Sequence, residues 1–153
     1  MIRKFIDTDK NSATVVLRLA LGIVFFAHGA QLLLGWFGGY GLHGSMQFFT
    51  GMLHIPAAWA FLAIVTEFFG GLALIAGFLT RLAAIGIAID MLVATFMVHL
   101  QFGFFMNWFG AQKGEGYEFH LLAIAIAVFL AIQGAGAFSL DSLLTSAKLN
   151  KSA

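Results

Sequence analysis

Four stretches of this sequence are apolar for long enough to cross a lipid bilayer, and few folds can accommodate that. They are residues 13–34, 57–79, 82–105 and 119–138. Each runs for about 20–24 residues, roughly 30–36 Å as helix, which matches a hydrocarbon core of about 30 Å. The whole chain is 61% hydrophobic and 10% charged, where a soluble domain has about 45–50% and 25%. So little polar surface cannot cover such a chain in water, so its solvent is lipid. A β-barrel would need polar and apolar residues alternating over about ten positions, and these stretches do not alternate. Pro56 is the one proline, and it opens the second stretch, where a helix tolerates it. Asn11 or Ser12 offers an N-cap for the first. That first stretch outruns the apolar region of a signal peptide and lacks a small-residue cleavage site, so it reads as a retained helix. The expected architecture is all-α: a four-helix transmembrane bundle forming a single domain over residues 1–153.

Basic residues give the orientation. Arg3, Lys4 and Lys10 precede the first stretch, Arg81 stands between the second and third, and Lys148 and Lys151 follow the fourth. The connection 35–55 has no Lys or Arg, and 106–118 has only Lys113. N- and C-termini are therefore expected in the cytoplasm, with the two longer connections outside. Trp36, Tyr40, Trp59, Trp108 and Tyr117 would form an aromatic belt at the outer interface. A net charge of +1 gives no reason to expect nucleic acid as a partner. The chain has no cysteine, which removes disulfides, CxxC redox chemistry, thiolate zinc sites and a cysteine nucleophile. Gly70, Gly71 and Gly77, with the alanines of the third and fourth stretches, would let the helices approach closely.

Ionisable groups inside a bilayer cost about 2.5–3.5 kcal/mol each at mid-helix on insertion scales, so those retained here are informative. Arg18, His28 and Gln31 lie in the first stretch, Glu67 in the second, Asp90 and His99 in the third, and Glu118 and His120 at the start of the fourth. Helical rise puts Arg18, Glu67 and Asp90 in one layer, where the guanidinium would pair with one of the two carboxylates. The other carboxyl would be left to carry a proton or hold a ligand, unless the layer only fixes helix register. His28, His99 and His120 fall in a second layer, with Gln31 and Glu118 nearby. Three imidazoles at one depth suit hydrogen bonding to a quinone head group, proton relay, plain anchoring or, as weaker candidates, metal or haem ligation. Asp90 and His99 are nine residues apart, so on one helix they point to opposite sides. Glu118 and His120 also diverge. The core set is then His28, Gln31 and Glu67 with either Asp90 or His99. Within 35–55, the piece 45–53 reads as a short interfacial helix, a cap or lid over a pocket.

Several of these pieces occur in a familiar order. Arg18-Leu19-Ala20-Leu21-Gly22 is followed by Phe26, His28-Gly29 and Gln31. Then come Glu67 with Gly70-Gly71, Leu74 and Gly77, Thr80-Arg81, His99 with Gly103-Phe104, Glu118, and the closing 134–141. From about residue 16 to 144 the chain resembles the DoxX family of small bacterial membrane proteins. The resemblance implies a four-helix, multi-pass protein of the bacterial inner membrane. It also implies a link to quinone-dependent oxidation of thiols or sulfur compounds and to oxidative stress, since relatives include a subunit of thiosulfate:quinone oxidoreductases. Lacking cysteine, this chain would leave thiol chemistry to a soluble or membrane redox partner or to a small-molecule thiol.

The first expectation is therefore a small membrane subunit of a quinone-linked oxidoreductase, with quinone as the cofactor and haem or metal behind it. It would sit in lipid with a redox partner or a second copy of itself. A non-enzymatic anchor for a soluble partner is the second reading, and a small-molecule transporter the third.

Overall fold

The computed structural model describes Ile6, Thr8 and residues 11–149. Arg3, Lys4, Lys10 and Lys151 lie outside the described residues. Helix α1 is Ala13–Leu34. A 3-10 turn at Trp36–Gly38 leads to α2, Gly41–Gln47, which continues as a π-helical turn through Phe48–Met52. Helix α3 is Ala57–Ala76. Helix α4 is Thr80–Ala94, prolonged by a π-helical turn at Thr95–His99 and a 3-10 turn at Leu100–Phe102. Helix α5 is Glu118–Gln133 and α6 is Leu140–Leu149. Among the described residues there is no strand.

Three helical runs, Ala13–Leu34, Ala57–Ala76 and Thr80–Phe102, are long and apolar enough to cross a membrane. The fourth stretch, expected over 119–138, is helical for 16 residues only. That is about 24 Å, short of a full hydrocarbon core. It stops because Gly134 takes φ 89°, a conformation that favours glycine and breaks the hydrogen-bond ladder. The second stretch ends at Ala76 rather than at 79, because Gly77 turns left-handed at φ 65°. The cap of α1 is Asn11, whose side chain accepts the Ala13 N–H at 2.9 Å, while Ser12 makes no side-chain cap bond. The interfacial helix expected from 45 begins earlier, at Gly41.

The long helices pack in the ring α1–α3–α4–α5, with α1 most extensively on α3 and α4 on α5. Leu21, Phe25, Leu74, Ile87, Met91 and Leu130 fill the centre, with alanines between them. The outside is apolar as well: Val16, Ile23, Phe69, Ile89 and Ile132 are all more than half exposed. An apolar shell that extensive has no stable place in water. Helices α1 and α3 touch backbone to backbone. A Cβ at Gly71 would fall on the Phe26 nitrogen, and one at Gly29 on the Phe68 nitrogen. Below, the Arg81 end carries Asn11, Gly77–Arg81 and Asp141, and the loop end carries Trp36–Pro56 and Gly103–Tyr117.

Candidate functional site

The structure divides the expected polar core into three places. The first is at the Arg81 end. Arg18, 1% exposed, donates to the carbonyls of Phe138 at 2.9 Å and Ile75 at 3.5 Å. Its ionic neighbour is Asp141. Asp141, also 1% exposed, accepts the N–H of Leu79 at 2.9 Å and of Thr80 at 3.0 Å, and donates its own N–H to the Gly77 carbonyl. The expected pairing of Arg18 with Glu67 or Asp90 is therefore corrected. The long side chain reaches toward the last turn of α3, whose carbonyls have no helical partner, and toward the acid that caps α4. Arg81 does the same for α5, donating to the carbonyls of Ala131 and Ile132. These groups tie helix ends together.

The second place lies between α3 and α4. The carboxyl groups of Glu67 and Asp90 are electrostatic neighbours there. Gly29 lets α1 lie against the backbone of Glu67 and Phe68, so the Glu67 side chain turns to the opposite side of α3. Both acids line a cavity of about 560 Å³, walled by apolar side chains and covered by Phe49, Leu53 and His54 from the 48–56 segment. Trp59 stands at its exposed rim. His54 was not among the sequence candidates. It takes φ 54°, a left-handed turn that no sequence pattern marks at a histidine.

The third place is at the loop end. The His99 and His120 rings pack with centroids 4.0 Å apart and their planes tilted by 40°. His99 Nδ1 lies 2.8 Å from the Glu115 carbonyl oxygen. A carbonyl only accepts, so this nitrogen donates, and Nε2 is the acceptor in the neutral ring. His120 is 6% exposed, and its Nδ1 is buried without a hydrogen-bond partner. Phe119 bridges this pair to the exposed His28: its ring centroid is 5.6 Å from that of His120 and 6.2 Å from that of His28. The π-helical turn at Thr95–His99 shifts the register of α4. Asp90 meets α3 while His99 meets α5. Metal ligation by His28, His99 and His120 is not what this geometry offers. Among the described residues, no three His, Asp or Glu side chains are placed to hold a metal ion.

Gln31 and Glu118 leave the candidate core. Gln31 donates to the Phe37 carbonyl at 3.4 Å, bracing the turn after α1. Glu118 accepts the Met106 N–H at 2.8 Å and the Trp108 indole N–H at 3.1 Å, shaping the loop before α5. Both are polar groups near a chain reversal, and backbone donors and carbonyls there compete for them.

Comparison with known proteins agrees with the apolar helices. The chain is 33% identical over 130 residues to "Inner membrane protein YqjF" of Escherichia coli (strain K12), covering 85% of this chain and 90% of the relative. It is 28% identical over 137 residues to "Putative oxidoreductase CatD" of Bacillus subtilis (strain 168), covering 90% of each. No solved structure matches. The family model for DoxX matches residues 13–100, from the start of α1 to the turn that carries His99. Together with the lipid-facing shell, this makes the chain a membrane protein of the DoxX family.

Proposed function

We propose that this protein is a small membrane subunit of a quinone-linked oxidoreductase system, and that the imidazole cluster at the loop end binds the quinone head group. The observation that carries the reading is His120 Nδ1, a buried ring nitrogen with no partner beside the His99 ring. A buried polar atom left unpaired costs about 1–3 kcal/mol, and a ligand hydroxyl or carbonyl would satisfy it. The exposed His28 and the partly buried His99 grade inward to His120 from the flank of the bundle, which suits entry from lipid. Reducing a quinone to its quinol takes up two electrons and two protons. The imidazoles would pass the protons. The electrons would come from a partner protein that oxidises a thiol or sulfur compound, since this chain has no cysteine. The name of the Bacillus subtilis relative agrees with a redox role.

In this reading all four long helices span the bacterial inner membrane. Arg81 and both chain ends face the cytoplasm, where basic residues gather, and the imidazoles face the outer leaflet. The test is quinone content. Protein purified in mild detergent and extracted into organic solvent is expected to yield close to one quinone per chain by ultraviolet difference spectrum. His120→Phe keeps the ring volume and should lower this by about tenfold or more. Quinone-dependent oxidation of thiosulfate or a thiol by membranes holding the native partners should fall in parallel. Equal quinone in wild type and His120→Phe would overturn the reading.

A further inference from the structure

The cavity between α3 and α4 is a separate feature, and the imidazole cluster does not use it. Its polar lining is unusual in sign. Glu67 and Asp90 both line it, and Asp90 Oδ2 is buried without a hydrogen-bond partner. A cation seated beside two carboxyl groups favours their ionised form, and an anion opposes it. Among the described residues, no Lys or Arg lines the cavity. The buried cation of the bundle, Arg18, is engaged at the Arg81 end with Asp141 and the carbonyls of Ile75 and Phe138. His54 in the covering segment is the one basic side chain among the described lining residues, the acid pair sits at mid-helix depth below it, and anions such as thiosulfate are poorly suited to that wall.

The shape of the space supplies the rest. Phe49 and Trp59 give aromatic wall, and an aromatic face attracts a desolvated cation. At about 560 Å³ the cavity falls within the size range of small-molecule sites. It shares Leu62, Thr66 and Gly86 as lining with an adjoining space of about 710 Å³, an apolar groove along α3 and α4 that reaches Leu140. We propose that these adjoining spaces bind a cationic amphiphile from the lipid phase, with its onium or ammonium head beside Glu67 and Asp90 and its apolar body along the groove.

Tetraphenylphosphonium is the probe, and tetraphenylborate, of the same shape and opposite charge, is its control. Both are equilibrated with the full chain in nanodiscs of uncharged phosphatidylcholine, and empty discs give the lipid background. Saturable binding of about one phosphonium per chain is expected, with none of the borate. Glu67→Gln and Asp90→Asn should each weaken it about tenfold or more. Leu62→Trp keeps both acids but fills the wall, and should also abolish binding. Thermal unfolding and an unchanged gel-filtration profile show that each variant is folded. Phosphonium uptake equal to that of empty discs, equal binding of the borate, or undiminished binding in the Glu67→Gln/Asp90→Asn double variant would each overturn the proposal. None of these results bears on the quinone reading, which rests on His120.

Discussion

Asp141→Ala is expected to cost about 3–5 kcal/mol of folding stability, because it removes a buried charge together with the backbone hydrogen bonds that it accepts. Three losses combine. The N–H groups of Leu79 and Thr80 lose the carboxylate that accepts them, and these open α4, where a negative charge also meets the positive end of the helix dipole. Arg18 loses its ionic neighbour while 1% exposed. The turn Gly77–Leu79, which joins α3 to α4, loses its main tether to the segment after α5. Asp141→Asn keeps the shape and one acceptor oxygen and should fall between wild type and alanine. Equilibrium unfolding in mixed micelles of dodecyl maltoside and SDS measures the change. Glu115→Ala is the comparison. It removes an acceptor from the Asn107 N–H in an exposed loop and should cost about 1 kcal/mol or less. Pairing Asp141→Ala with Arg18→Met should give less than the sum of the two, by about 0.5–3 kcal/mol. Full additivity, or a loss at Asp141 no greater than at Glu115, would show that this junction does not hold the helix ends.

That junction also marks where sequence reading succeeds and where it runs out. Apolar length places α1 at residues 13–34 and starts α3 at 57, as found. It cannot place Asp141, which lies just past the fourth stretch and looks like the first residue of a tail. Helical rise put Arg18 near Glu67 and Asp90 in depth. Depth alone does not say which way a long side chain extends, and unpaired carbonyls at a helix end were the stronger attraction. The pairing of Glu67 with Asp90 and the gathering of His28, His99 and His120 follow from their depths and helices. The role of His54 was hidden because it depends on a left-handed backbone in a connection of mixed glycine and aromatic residues.

Gly71→Ala and Gly70→Ala, one residue apart, are expected to differ by about 3 kcal/mol. At Gly71 the added methyl would fall on the backbone nitrogen of Phe26, 2.7 Å from its Cα and 2.9 Å from the Phe25 carbonyl carbon. Backbone cannot rotate aside, so α1 and α3 must separate, and dispersion contacts weaken steeply with sub-ångström gaps. In lipid, where apolar surface gains little by leaving the solvent, close packing of this kind is much of what holds helices together. At Gly70 the methyl would meet the Ile87 side chain at 3.4 Å, a contact that a small rotamer change relieves. Alanine also favours helix over glycine by about 1 kcal/mol, so Gly70→Ala should be neutral or slightly stabilising. Gly29→Ala should resemble Gly71→Ala, because its methyl would strike the Phe68 backbone from the other helix. The same unfolding titration checks all three. Separation of α1 from α3 would also shift the support behind Glu67, so Gly29→Ala should weaken phosphonium binding while Gly70→Ala leaves it intact. Equal stability of the Gly70 and Gly71 variants would mean that α1 and α3 do not approach as closely as their backbones indicate.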